Sequence, residues 1–309
     1  MKHPKIAVIS PLFSRSSELM NVLHEHFSDV KSNADNTLKT KEDIIAFLQD
    51  AQGAIVGREN IDDAVLEACP KLKILSRYGV GLDNLDLEAM NKRGIALGWS
   101  GGTNSNSVAE ITLYFMLSLI RNTHISSSLL KQHRWKVSGG SELTGKTIGL
   151  FGFGHIAKRV IKLLAPFACH ILVCNKTHNE AEAKQYDITF ASKERIIQEA
   201  DIISIHLPLT SGTQNLFSTQ EFKAMKQSAF IINTARGGII DERALEIALK
   251  TGEIAGAGLE AFEVEPTQNW DLIDLPNVMC LPHVGGNSKE SILSMGYASI
   301  EHLRTYFDR

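Results

Sequence analysis

Long apolar runs are missing from this sequence. The longest, ITLYFMLSLI at 111–120, is about half of the roughly 20 residues a helix needs to span a bilayer. It reads as a buried helix, and no membrane partner is expected. Cysteine is scarce too. Cys69, Cys169, Cys174 and Cys280 are the only four, and none is in CxxC spacing. Neither a metal site nor a disulfide framework is expected. Three of them lie in or beside apolar runs, where a free thiol behaves as a small hydrophobe. A reducing, cytoplasmic setting fits. A dominant charge sign is also lacking: the net charge is −3 and no like-charge block occurs. Nucleic-acid binding usually needs a basic face, and none is visible. The N-terminus MKHPKIAVIS has neither the apolar core nor the cleavage site of a secretory signal.

What is present is ordinary globular composition, with 43% hydrophobic and 22% charged residues. At about 150 residues per domain, 309 residues suggest two domains. Short apolar runs alternate with helical patterns. Strands are expected at 5–10, 53–57, 72–76 and 94–98, with helices at 61–68 and 86–92. A second series has strands at 147–152, 170–175, 187–191, 201–207, 229–235, 256–262 and 278–282. This alternation predicts an α/β protein with parallel sheets covered by helices. Residues 107–121 are apolar nearly all round, which suits a helix buried in a core or interface. Asp241 reads as an N-cap and Gly252 as a helix stop. The helical pattern at 288–309 can return to pack on the first domain and make it discontinuous.

GLFGFGHIA follows a strand and opens a helix. In a GxGxxG/A turn one glycine makes the bend, the next lets the backbone approach a pyrophosphate, and the third small residue allows close helix packing. Gly152, Gly154 and Ala157 fill these places. The helix start, with His155 and Ile156, offers N–H groups and a positive dipole end to phosphates. The second strand usually ends in an acid that takes the ribose hydroxyls. Here that place holds Asn175, followed by Lys176 and Thr177. Losing the carboxylate removes repulsion of a 2′-phosphate, and Lys176 adds attraction. The cofactor expected is NAD(P), with NADP(H) modestly preferred.

Four polar residues fall at or just past strand ends, where open α/β sheets bind ligands: His206, Arg236, Glu265 and His283. A guanidinium can hold a carboxylate in bidentate fashion. A histidine can protonate a carbonyl oxygen as hydride arrives. A neighbouring carboxylate would fix the tautomer of that histidine. Together Arg236, Glu265 and His283 suit reduction of a 2-keto acid.

The runs GKTIGLFGFGHIA, HLPLTSGTQNLFS, FIINTARGGIIDERAL, FEVEP and LPHVGGNS, with RYGVGLDNLDLEAMNKRGI and SNSVAEITLYFML, span nearly the whole chain. The chain resembles the D-isomer-specific 2-hydroxyacid dehydrogenases, most of all the phosphoglycerate dehydrogenase branch. The resemblance implies a flavodoxin-like, sequence-discontinuous substrate domain (1–103 plus 286–309) clasping a Rossmann NAD(P)-binding domain (104–285), with the site in the cleft. It implies a homodimer built on the helix near 107–121. It makes His283 the acid/base, Glu265 its partner and Arg236 the substrate anchor. Backbone N–H groups around Val80 and Gly81 would bind the substrate carboxylate. Leu207, Pro208, Thr234 and Ala235 would line the nicotinamide side, with His206, Thr213, Glu260 and Gly285 also at the cofactor. Glu260 stands where the family usually has Asp, so a longer side chain must fit. GWSGG at 98–102 replaces the frequent Asn-x-Pro, and Tyr78, at an often small position, could narrow the pocket.

Arg58 and Arg77 follow strands and match cationic positions of the phosphoglycerate branch. They favour 3-phosphoglycerate/3-phosphohydroxypyruvate narrowly over the alternative, a glyoxylate or hydroxypyruvate reductase. An alternative of another class is an NAD-sensing corepressor-like binding module. No appended domain follows residue 309, so serine feedback through one is not expected.

Overall fold

The computed structural model describes residues 4–137 and 139–308. The expected domain ends at 1–3 and 309 lie outside them. The chain divides into two compact units, one running to Asn104 and resuming at Asn287, the other Ser105–Gly286.

The first unit holds β1 (Ile6–Val8), β2 (Val30–Ser32), β3 (Gly53–Val56), β4 (Ile74–Arg77) and β5 (Ala96–Gly98). All pair in parallel, in the order β2-β1-β3-β4-β5. This is the flavodoxin-like order. Side chains alternate across a strand. Ile6 and Val8 enter one buried cluster, Ala7 and Ile9 another on the opposite face. A strand buried on both faces must be apolar throughout, which is why KIAVIS carries no alternation. The helix Lys289–Phe307 joins this unit, with Met295, Ile300 and Leu303 packed beside Ile6 and Val8. Ser76 Oγ donates to Ser299 O at 2.9 Å and fixes the helix on β4. β2 has no counterpart among the expected strands. It is an edge strand, Val-Lys-Ser, at most half buried, so its sequence carries no apolar run to detect.

The second unit holds β6 (Thr147–Phe151), β7 (His170–Cys174), β8 (Thr189–Phe190), β9 (Ile202–Ile205), β10 (Phe230–Asn233), β11 (Gly256–Leu259) and β12 (Val278–Cys280). Their order is β12-β11-β10-β9-β6-β7-β8, all parallel. This is the Rossmann order with one further strand. The order reverses between β6 and β9, so their carboxyl ends flank the crevice where such sheets bind ligands. The helix His155–Leu164 buries Ala157, Val160, Ile161 and Leu164, an i, i+3, i+4, i+7 stripe. That stripe meets Phe115, Met116 and Leu119 of the helix Ser105–Ile120. Asp241 accepts the Ala244 N–H as N-cap, and Gly252 ends the same helix, Glu242–Thr251, at φ 74°. Among the described residues no helix is long and apolar enough to cross a membrane.

Candidate active site

The carboxyl ends of β6, β7, β9, β10, β11 and β12 carry every residue expected at the cofactor or in catalysis. The phosphate turn comes first. Gly152 has φ 98°, and a Cβ there would lie 2.5 Å from His206 O. Glycine is therefore required for both conformation and space. A Cβ on Gly154 would meet nothing within 4 Å. Its open side is room beside the N-terminus of the helix His155–Leu164, where Gly154 is N-cap and supplies no side-chain cap. The first N–H groups of that helix keep their capacity for an anion. The residues present fit a dinucleotide pyrophosphate.

The backbone ladder joins this turn to its neighbours. Gly152 N–H donates to Cys174 O at 2.9 Å and His206 N–H to Phe151 O at 2.8 Å. Asn175 therefore begins where β7 ends. Its Nδ2 donates to Thr177 O (2.8 Å) and Thr177 Oγ1 (3.1 Å), closing a small turn, and Lys176 beside it is exposed. His206 Nε2 pairs with Ser204 Oγ at 3.0 Å, and Nδ1 is buried with no partner among the described residues. Burial pushes its pKa down to about 4, so this ring is neutral near pH 7. Thr213 Oγ1 donates to Pro208 O (2.7 Å) and accepts the Thr210 N–H (2.8 Å), so it shapes the Leu207–Pro208 loop.

At the end of β10, Asn233 is nearly fully buried. Its Oδ1 accepts the Ala235 N–H at 3.0 Å and its Nδ2 donates to Arg236 O at 2.8 Å. This clip sets the turn that presents Arg236. Sequence reasoning missed Asn233, although a polar residue ending FIIN was a signal. Thr234 is buried, its hydroxyl 3.1 Å from that of Thr112. Arg236 Nη1 donates to Ala235 O at 2.8 Å.

His283 and Glu265 are brought together. His283 Nδ1 lies 2.9 and 2.8 Å from the two oxygens of Glu265. Both side chains stay about one-third exposed, 30% and 33%. A carboxylate accepts only, so Nδ1 carries the hydrogen of this pair. Glu260, 2% exposed, accepts the Val284 N–H at 2.7 Å. Burial raises its pKa, while that N–H and the nearby His283 oppose the rise. The longer side chain fits because the adjacent residue is Gly285: a Cβ there would collide with Glu260 Oε2. Ser107 Oγ donates to Gly285 O and holds the same turn.

In the first unit, the residues after β4 form a loop with its own anchors. Trp99 Nε1 donates to Val80 O at 2.9 Å, and Arg77 Nε donates to Gly81 O at 2.6 Å. The carbonyls of Val80 and Gly81 are thus engaged, while their N–H groups have no acceptor among the described residues. Trp99 comes from GWSGG, so that departure supports this loop. Arg77 is 8% exposed, and its guanidinium reaches the carbonyls of Val56, Gly57, Tyr78 and Gly81. A guanidinium so placed holds the loop. Tyr78 is a core residue, edge-on to Phe13 at 5.4 Å. Arg58 is exposed. Among the described residues no cluster able to hold a metal ion occurs.

Residues 113–285 match the D-isomer specific 2-hydroxyacid dehydrogenase, NAD binding domain. The chain is 36% identical to a glyoxylate reductase of Thermococcus litoralis over 242 residues, 75% of this chain and 73% of that protein. It is 35% identical to a D-3-phosphoglycerate dehydrogenase of Methanocaldococcus jannaschii over 269 residues, 86% of this chain. It spans about half of that longer relative, 51%. A glyoxylate reductase crystal structure from Paecilomyes thermophila shares the fold, with TM-score 0.90 at 24% identity, over 100% of this chain and 97% of that one. With its NAD-binding sheet and a sequence likeness reaching well into the first unit, the chain belongs to the D-isomer-specific 2-hydroxyacid dehydrogenases.

Proposed function

We propose that the protein reduces a small, unphosphorylated 2-keto acid, glyoxylate or hydroxypyruvate, to the D-2-hydroxy acid with NADPH. The observation that carries this reading is the His283–Glu265 pair at 2.8 Å, seated at the carboxyl edge of the dinucleotide-binding sheet. The cofactor supplies the hydride when bound. Arg236 holds the substrate carboxylate and polarises the carbonyl. His283 gives a proton to the carbonyl oxygen from Nε2, and Glu265 stabilises the positive ring that this step consumes. The N–H pair of Val80 and Gly81 is suited to a carboxylate as well.

The placement of Arg77 supports this choice of substrate. Its guanidinium is buried against four carbonyls, which favours a loop-holding role over binding the phosphate of a phosphorylated acid. The second reading, 3-phosphohydroxypyruvate, keeps the exposed Arg58 in its favour. For the cofactor, Asn175 and Lys176 replace the acid that would repel a 2′-phosphate. The assembly proposed is a homodimer on the helix Ser105–Ile120, whose Tyr114 is 50% exposed. Four free thiols suit the reducing cytoplasm.

Initial rates with glyoxylate, hydroxypyruvate and 3-phosphohydroxypyruvate, each with NADPH and NADH, test these points together. The expected order puts the two small acids above the phosphorylated one, and NADPH above NADH. Asn175→Asp should reverse the cofactor order, because a carboxylate accepts ribose hydroxyls and repels the 2′-phosphate. Faster turnover of the phosphorylated acid would favour the second reading. A strong NADH advantage in the wild type would refute the cofactor preference.

A further inference from the structure

Glu265 sits on a segment, residues 261–269, that has neither helix nor strand. Such a segment lacks the hydrogen-bond ladder that holds the other strand-end residues, and its direction must come from side-chain anchors. Two acidic residues outside the expected site supply them. Glu242 is the first residue of the helix Glu242–Thr251 and is 9% exposed. Its Oε1 accepts the Glu263 N–H at 2.6 Å, and its Oε2 accepts Asn269 Nδ2 at 3.2 Å. In return, Glu263 Oε1 accepts the Glu242 N–H at 3.0 Å. The exchange is reciprocal, and it satisfies one of the open N–H groups of the helix start, where negative charge is favoured.

Residues 263 and 269 bracket Glu265. One carboxylate therefore ties both sides of the segment to a single rigid helix. That helix follows directly on the turn that presents Arg236, with Asp241 as its N-cap. Within the segment, the Phe262 N–H donates to Glu265 Oε1 at 3.2 Å. At Gly237, beside Arg236, an added Cβ would collide with the Phe262 carbonyl, so the two turns lie backbone to backbone.

We propose that Glu242, through its exchange with Glu263 and its bond to Asn269, is a positioning residue that aims Glu265 at His283. It touches neither substrate nor cofactor. The assignment rests on the reduction proposed above and adds to it the element that makes the His283–Glu265 geometry rigid. Released from Glu242, the segment lets Glu265 leave Nδ1, and the ring loses its fixed orientation.

A double-mutant cycle tests this, because residues that act through one another are non-additive. Glu242→Ala in the wild-type background should lower kcat by about 10- to 100-fold, up to the loss from removing the general-acid partner. In a Glu265→Gln background the same change should cost less than about twofold. Cofactor Kd, read by NADPH fluorescence, should stay within about twofold in every variant. Glu242→Gln, which keeps an acceptor for the Glu263 N–H, should recover most of the lost kcat. Equal losses in both backgrounds would show a purely structural role and overturn the assignment.

A readout independent of turnover accompanies the cycle. The nitrogen NMR resonance of His283 Nδ1 should move in Glu242→Ala in the same direction as in Glu265→Gln, since both weaken one hydrogen bond. An unmoved resonance in Glu242→Ala alone overturns the assignment even if the wild type reduces none of the acids tried. Absence of wild-type turnover with the resonance moved as expected would refute the proposed reaction and leave the positioning role standing.

Discussion

His283→Gln should lower kcat for 2-keto acid reduction by about 100- to 10,000-fold, the range for loss of a positioned general acid. Glutamine can still reach Glu265 with its amide, so the turn at 283–285 should survive. It cannot release a proton to an oxygen that is becoming an alkoxide. The loss should therefore fall on kcat and on kcat/KM alike, the pattern of an interaction made only in the transition state. NADPH affinity should not change, because His283 Nδ1 pairs with Glu265 and the pyrophosphate turn lies at the end of β6. Stopped-flow rates and a fluorescence titration check both parts. Unchanged kcat in His283→Gln would remove His283 as the acid. Loss of cofactor affinity in proportion to rate would mean a collapsed site. A binding module that senses NAD(P)(H) would show neither turnover nor a rate to lose.

The second large effect belongs to Arg236→Lys. The change keeps the charge and gives up the planar fork. One charge-assisted hydrogen bond is lost, about 1.5–3 kcal/mol, which is roughly 10- to 150-fold in kcat/KM for the keto acid. Asn233 should still hold the turn, because it bonds the Ala235 N–H and the Arg236 carbonyl, groups present in the variant. Melting temperature and NADPH affinity should therefore stay near wild type. A drop in kcat/KM below about threefold would mean that Arg236 does not anchor the carboxylate.

The parallel α/β architecture was legible because β1, β6, β9 and β10 are buried on both faces and so read as largely apolar runs without alternation. The phosphate turn was legible because backbone approach and a left-handed φ leave few alternatives to glycine. Arg236, Glu265 and His283 stood out as polar residues just past such runs. Other features depend on surroundings that sequence does not display. Arg77 reads the same whether its guanidinium meets solvent or four carbonyls, and only the fold shows the second. Tyr78 has the size of a pocket wall and the burial of a core residue. β2 is an edge of three residues, too short and too polar to register. The Glu242–Glu263 exchange joins residues 21 apart in the chain, and each alone looks like one more surface acid. Asn233 is the instructive omission, since a buried amide ending an apolar strand has to bond something.

The most direct test is transfer of label. Hydroxypyruvate should be reduced with NADPH carrying deuterium at the transferred nicotinamide C4 position, and the glycerate analysed by mass and by chirality. The expected product is D-glycerate with a single deuterium at C2, formed by the wild type and lost in His283→Ala. Unlabelled product, L-glycerate, or equal rates with and without the imidazole would contradict it.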